Sequence, residues 1–188
     1  MTTHRELECK IAIPAREPVI ERLLVLGARD LGDRYERNQV YDRGGELRAG
    51  RRLLRVRDDG GRTVITYKGA PQPGQYKTRE ELEIVADSFE TACLIFSRLG
   101  YENAWYYEKR RHEFEYRSCM IAVDLLPVLG CFVEVEGSND AGVTAVLGDL
   151  ALKPEQHLPQ SYLALYMEEC QRNGMPLGDL RFASLSGT

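Results

Sequence analysis

Glu6-Leu7-Glu8-Cys9-Lys10-Ile11 alternates charged and apolar side chains without a break. Successive side chains of a β-strand point to opposite faces. The stretch therefore reads as a strand with Glu6, Glu8 and Lys10 on one face and Leu7, Cys9 and Ile11 on the other. Glu134-Val135-Glu136 repeats the device far down the chain. Each segment sets two carboxylates side by side. Four carboxylates on one face repel one another unless cations stand between them. Oxygen-only clusters of this kind suit hard cations such as Mg²⁺ or Mn²⁺.

The same alternation recurs between these two segments. Residues 34–42, 53–57, 63–68, 79–85, 105–116, 119–125 and 131–136 read as further strands, and Asp58-Asp59-Gly60-Gly61 as a hairpin turn. Helical periodicity covers 18–26, with Pro18 early and Gly27 at the end, and 88–99, with Asp87 or Ser88 as N-cap and Gly100 as stop. Two more helices are expected at 143–152 and 161–173, the second stopped by Gly174. Residues 44–52 and 69–74 read as loops. One domain is expected over 1–174, with 175–188 as a loose C-terminal tail.

The pattern suggests an internal repeat. Each half runs from a strand with paired charges, through a helix ending in Leu-Gly, to strands with paired cations and a return strand. Gly27 matches Gly100, and Arg55-x-Arg57 matches Lys109-x-Arg111. The expected architecture is a pseudo-symmetric antiparallel sheet with helices outside.

Arg55 and Arg57 flank Val56, Glu81 and Glu83 flank Leu82, and Glu134 and Glu136 flank Val135. One strand of this kind is an ordinary solvated face. Recurrence on strand after strand is not, because solvated faces mix in Ser, Thr and Gln. If the sheet closes into a barrel, the charged face becomes the interior. Guanidiniums and carboxylates fixed in a tunnel need extensive pairing or a ligand. A triphosphate with metal ions satisfies both sets, because arginine forks hold phosphate oxygens and acidic pairs hold the bridging metals.

Composition narrows the remaining classes. A chain of 188 residues can build one domain with a real core. A net charge of -4 argues against broad nucleic-acid binding. Cys9, Cys93, Cys119, Cys131 and Cys170 show no CxxC spacing, so they read as reduced thiols and not as a zinc site or disulfide framework. With no apolar leader and no run of transmembrane length, the expectation is a soluble cytoplasmic protein without membrane partners. His4, His112 and His157 are too scattered for a triad, and Gly44-Gly45 and Gly60-Gly61 lack the lysine and serine of a phosphate loop. Trp105, Tyr106 and Tyr107 read as packing for the barrel or its mouth before they read as a base-stacking platform.

An ordered series of motifs now stands together: Glu6-x-Glu8-x-Lys10, Gln39-Val-Tyr41-Asp42, Leu54-Arg55-Val-Arg57, Thr66-Tyr-Lys68-Gly69, Arg79-Glu-Glu81-Leu-Glu83, Lys109-Arg-Arg111, Asp124, Gly130-Cys-Phe132-Val-Glu134-Val-Glu136 and Ser161-Tyr162. Over residues 5–166 the chain resembles the CYTH family, the triphosphate tunnel metalloenzymes, and most closely its class IV adenylyl cyclase-like branch. The resemblance implies an α+β fold, a closed antiparallel β-barrel of about eight strands with helices packed outside. It implies that Glu6, Glu8, Asp124, Glu134 and Glu136 hold Mg²⁺ or Mn²⁺. It implies that Lys10, Arg55, Arg57, Lys68, Arg79, Lys109 and Arg111 bind phosphate, with Lys10, Arg55, Arg57, Lys109 and Arg111 acting in catalysis. Glu81 and Glu83, with Arg79, would orient these groups through salt bridges.

The implied chemistry is metal-assisted phosphoryl transfer. A cyclase would convert ATP to cyclic AMP and pyrophosphate. A hydrolase would release phosphate from thiamine triphosphate or tripolyphosphate. A noncatalytic polyphosphate- or nucleotide-binding module is the reading from another class, and the complete acidic set speaks against it. Whether the barrel acts alone or as a homodimer stays open.

Overall fold

Eight strands run β1 His4–Ile13, β2 Arg29–Asp42, β3 Leu53–Asp58, β4 Thr63–Lys68, β5 Lys77–Ala86, β6 Glu102–Tyr116, β7 Cys119–Leu126 and β8 Gly130–Glu136 in a computed structural model that describes residues 4–183. They close into one barrel in the order β1-β5-β4-β3-β2-β6-β7-β8, with β8 pairing back onto β1. Every neighbouring pair is antiparallel. Among the described residues, five α-helices join and cover the strands: α1 Glu17–Val25, α2 Glu46–Ala49, α3 Phe89–Arg98, α4 Asp140–Asp149 and α5 Tyr162–Asn173. None of the described helices is long and apolar enough to cross a membrane.

Exchanging β1–β4 with β5–β8 leaves the strand order of the barrel unchanged, so the repeat is real at the level of backbone. The charge match between the halves is corrected, however. Under the exchange β3 corresponds to β7 and β2 to β6, so Arg55-x-Arg57 is not the partner of Lys109-x-Arg111. The strand equivalent to β3 carries Asp124, and Glu36 on β2 lies opposite Lys109 in the ladder.

Apolar faces point outward and bury against the helices. Cys9, Ile11, Ile121, Val133 and Val135 pack under Leu23 of α1 and Val143, Val146 and Leu147 of α4. Leu54 and Val56 pack under Ala92 and Phe96 of α3. Both α1 and α4 start near the expected places, but α4 begins three residues early, because Asn139 caps the amide of Gly142. Ser88 and Ser161 cap α3 and α5 on Thr91 and Ala164.

Two further expectations are corrected. The stretch 44–52 holds the short helix α2, not only loop. Gly45 takes φ +80°, and the Asp42 carboxylate accepts the amides of Arg43, Leu47 and Arg48 at 2.7, 2.9 and 3.2 Å. The tail is not loose over its described part. Leu180 pairs in parallel with Tyr107 on β6 and is 1% exposed. Its amide donates to the Tyr106 carbonyl at 3.0 Å, and the Glu108 amide donates to its own carbonyl at 2.9 Å. β7 pairs with β6 only from Arg110 onward, so this strap covers the edge of β6 that β7 leaves open. Residues 184–188 of the expected tail lie outside the described residues.

Candidate active site

Because side chains alternate along each strand, closure turns one set from every strand into the barrel. One cavity of about 950 Å³ runs through it. It is bordered by Glu6, Glu8 and Lys10 of β1, Arg55 and Arg57 of β3, Lys68 of β4, Arg79, Glu81 and Glu83 of β5, Lys109 and Arg111 of β6, and Glu134 and Glu136 of β8. All the expected site residues except Asp124 line this one space.

The groups are paired across strands. Lys68 Nζ lies 2.5 Å from Glu6 Oε1 and 3.1 Å from Glu81 Oε1. Arg79 Nε donates to Glu6 Oε2 at 2.9 Å. Lys10 Nζ stands 3.2 Å from Glu134 and 3.7 Å from Glu8. Arg57 reaches Glu83 at 3.8 Å, and Thr66 Oγ1 donates to the same carboxylate at 2.7 Å. Arg111 contacts Glu134 at 2.5 Å.

Asp124 stands behind this wall. It is fully buried, and its oxygens accept from Arg111 Nε at 2.8 Å, Arg111 Nη2 at 2.7 Å, Lys109 Nζ at 3.1 Å and the Tyr162 phenol at 2.9 Å. It pairs with Lys109 and Arg111, whose side chains line the cavity. The Tyr162 ring also lies 4.2 Å from the Lys10 ammonium, so the first residue of α5 touches both sides of the cation set.

Sequence reasoning missed three contributors. Glu36 is 0% exposed and sits 3.4 Å from Lys109, 3.6 Å from Arg34 and 3.8 Å from Arg111. Lys77 reaches Glu8 at 3.4 Å. Asn38, beside Arg57 in the ladder, is buried with no hydrogen-bond partner for its amide among the described residues. The inward side of β2 held the signal for Glu36 and Asn38. Charges on both faces of residues 29–37 obscured it.

The electrostatics differ along the tunnel. Burial alone would raise the Glu8 carboxyl, but Lys10, Lys77, Lys68 and Arg79 hold it well below its usual range. Burial likewise opposes ionisation of Glu134, yet Lys10 and Arg111 bring it down to about 2. Glu136 goes the other way. Burial and then the Glu6 charge push it up to about 7. Glu8 and Glu136 face each other in the β1–β8 ladder.

A hard divalent cation fits this donor set. Among the described residues no three His, Cys, Asp or Glu side chains converge tightly enough to hold a metal unaided. Mg²⁺ does not need such a cage, since one or two carboxylates with substrate phosphates and water complete its octahedron. Glu6, Glu8 and Glu136 border the cavity and would supply the oxygen donors.

Comparison with known proteins agrees with this geometry. The family model described as CYTH domain matches residues 4–162. A curated protein of Methanocaldococcus jannaschii, named "putative adenylate cyclase", is 30% identical over 135 residues, 71% of this chain and 77% of that one. The solved structure of the PH1012 protein from Pyrococcus horikoshii superposes with a TM-score of 0.74 at 25% identity, over 85% of this chain and 98% of that one. A Hippeastrum protein whose structure is described as a "putative adenylyl cyclase" with a dominant triphosphatase activity superposes at 0.67 and 14% identity, over 94% and 98% of the two chains.

Proposed function

The chain belongs to the CYTH domain family, and from that premise we propose that it is a divalent-metal-dependent enzyme acting on a triphosphate threaded through its barrel. The supporting observation is the set of buried ion pairs Lys10–Glu134, Lys68–Glu6 and Arg79–Glu6 inside one cavity. Each cation is held by a carboxylate that a metal can take over. A triphosphate and its metal therefore enter by exchange of partners, with no charge left buried alone.

Our preferred reaction is that of a class IV adenylyl cyclase, in line with the name of the M. jannaschii relative. The ribose 3′ oxygen of ATP bonds to the α-phosphorus, the bond to pyrophosphate breaks, and the hydroxyl proton leaves to solvent. Arg55, Arg57, Lys109 and Arg111 grip the phosphate oxygens, and Lys10, Lys68 and Arg79 neutralise the charge that grows on the leaving pyrophosphate. Asp124 and Glu36 keep Lys109 and Arg111 aimed while the ligand is bound. Bound Mg²⁺ or Mn²⁺, held by Glu6, Glu8, Glu134 and Glu136, would polarise the phosphoryl oxygens.

Hydrolysis of a triphosphate is the second reading. The Hippeastrum barrel has the same shape and a dominant triphosphatase activity, so shape alone does not choose the nucleophile. A product assay with ATP, thiamine triphosphate and tripolyphosphate, each in Mg²⁺ and in Mn²⁺, decides between them. Cyclic AMP with pyrophosphate is the expected result. Phosphate release without cyclic AMP replaces the cyclase by a hydrolase. Binding without any product leaves a noncatalytic module.

A further inference from the structure

One cation inside the barrel differs from the rest. The others each stand within 3.8 Å of a carboxylate. Arg55 is buried, and among the described residues it forms no ion pair. Its side-chain contacts are two neutral hydroxyls. Nη1 donates to the Tyr107 phenol oxygen at 3.3 Å and Nη2 to Thr66 Oγ1 at 3.5 Å, while Nε has no partner. A guanidinium carries five N–H donors, so most of these are unspent. A charge buried without a counterion is costly to hold.

Tyr107 stands beside this arginine with a proton to give. Its oxygen accepts from Arg55, and among the described residues its O–H finds no acceptor. Thr66, by contrast, donates its proton to Glu83. Asn38, opposite Tyr107 in the β2–β6 ladder, forms no side-chain hydrogen bond. The ring is held independently of Arg55. It stacks on Trp105 at 4.5 Å and 20°, and Trp105 stacks on Tyr166 of α5 at 5.9 Å and 21°. Packing therefore accounts for the ring of Tyr107 and leaves its hydroxyl unexplained. Both Arg55 and Tyr107 border the cavity. A phenol that accepts from a guanidinium is polarised and becomes a stronger donor.

We propose that Arg55 and Tyr107 form a phosphate seat that needs no metal, in which the Tyr107 hydroxyl donates to one phosphate oxygen and the Arg55 fork to its neighbours. Lys10, Lys68 and Arg79 take a phosphate only as a cation draws Glu134 or Glu6 away from them. Arg55 has no such partner to lose, so an anion alone completes its coordination. The phenol is neutral, so it adds a contact to the substrate without altering the charge balance of the tunnel. Its stacked ring fixes the donor before the ligand arrives, and little ordering is left for binding to impose.

The inference rests on the triphosphate reading, and calorimetry with tripolyphosphate, run in EDTA and again in Mg²⁺, separates the two. The wild type should bind under both conditions. Tyr107→Phe keeps the ring stack and should still melt in one cooperative transition. Its affinity in EDTA should fall about ten-fold, the loss of one hydrogen bond to a charged group. Arg55→Lys keeps the charge, loses the fork and should fall by a similar factor. Binding in EDTA should also give the wild type a near-ultraviolet tyrosine difference band that Tyr107→Phe lacks. A hydroxyl that only aimed Arg55 would not produce that band. Wild-type binding in Mg²⁺ alone, unchanged EDTA affinity in either variant, or a band that survives Tyr107→Phe overturns the inference alone. Failure of the wild type to bind under either condition overturns the triphosphate reading with it.

Discussion

Tyr162 donates its phenolic proton to Asp124 at 2.9 Å across the end of the barrel, joining the first turn of α5 to β7. Asp124 in turn holds Lys109 and Arg111. Removing the hydroxyl in Tyr162→Phe takes one donor from a fully buried carboxylate and should cost about 1.5–3 kcal/mol in urea unfolding. The ring stays over Lys10, so KM for the triphosphate should hold while kcat falls about ten-fold. Tyr162→Leu loses the ring as well and should also raise KM. Equal kinetics in the two variants would remove Tyr162 from this role.

Glu36 lies buried among Lys109, Arg34 and Arg111. Glu36→Gln removes one carboxylate from cations that Asp124, Glu134 and Glu113 still hold, and should destabilise the apo protein by about 1–3 kcal/mol. Tripolyphosphate should restore much of the loss by binding the folded state. Thermal melts with and without the ligand test this, and an unchanged melting temperature in its absence would refute it.

Glu136 and Glu134 should respond to pH with opposite signs. Glu136 titrates near 7 in the folded chain against an ordinary value of 4.5. Between those values the folded state holds a proton that the unfolded state has released, so this group's contribution to stability falls as pH rises from about 4.5 to about 7. Glu136→Gln should therefore raise the apo melting temperature at pH about 8 and change it little at pH about 4. Added Mg²⁺ should favour the wild type instead. Glu134, brought to about 2, contributes stability above its ordinary value and loses it as pH falls toward 2.

Leu180 tests the strap. Leu180→Ala should cost about 2–4 kcal/mol, as buried leucine truncations do. Trp105 donates its indole N–H to the Gly178 carbonyl at 3.2 Å, so its fluorescence should shift in the same variant. The exposed Met175→Ser change should stay within about 0.5 kcal/mol. If the two variants melt together, the strap is not fixed to β6.

The barrel was legible in Glu6-Leu7-Glu8-Cys9-Lys10, because a period of two puts all its charge on one side. The positions of the charged groups followed from the same rule on β3, β5 and β8. What escaped was carried by tertiary contact. Leu180 is an isolated apolar residue in an aperiodic stretch, and only the open edge of β6 gives it a place. Lys77 precedes the alternating run that marked its strand. α2 depends on an Asp42 carboxylate that reaches amides up to six residues away, beyond any local capping pattern. Asp124 carries one charge on an apolar strand, and nothing in its neighbourhood shows that three side chains converge on it.

Closure of the barrel also governs how the chain can acquire it. β1 must pair with β8, joining Glu8 to Glu136 across nearly the whole matched sequence. Contacts of such long separation slow folding, because loop entropy is lost before they form. The first strand of the barrel pairs with the last one. Where the β1–β8 seam closes after the rate-limiting step, substitutions in it should speed unfolding more than they slow folding.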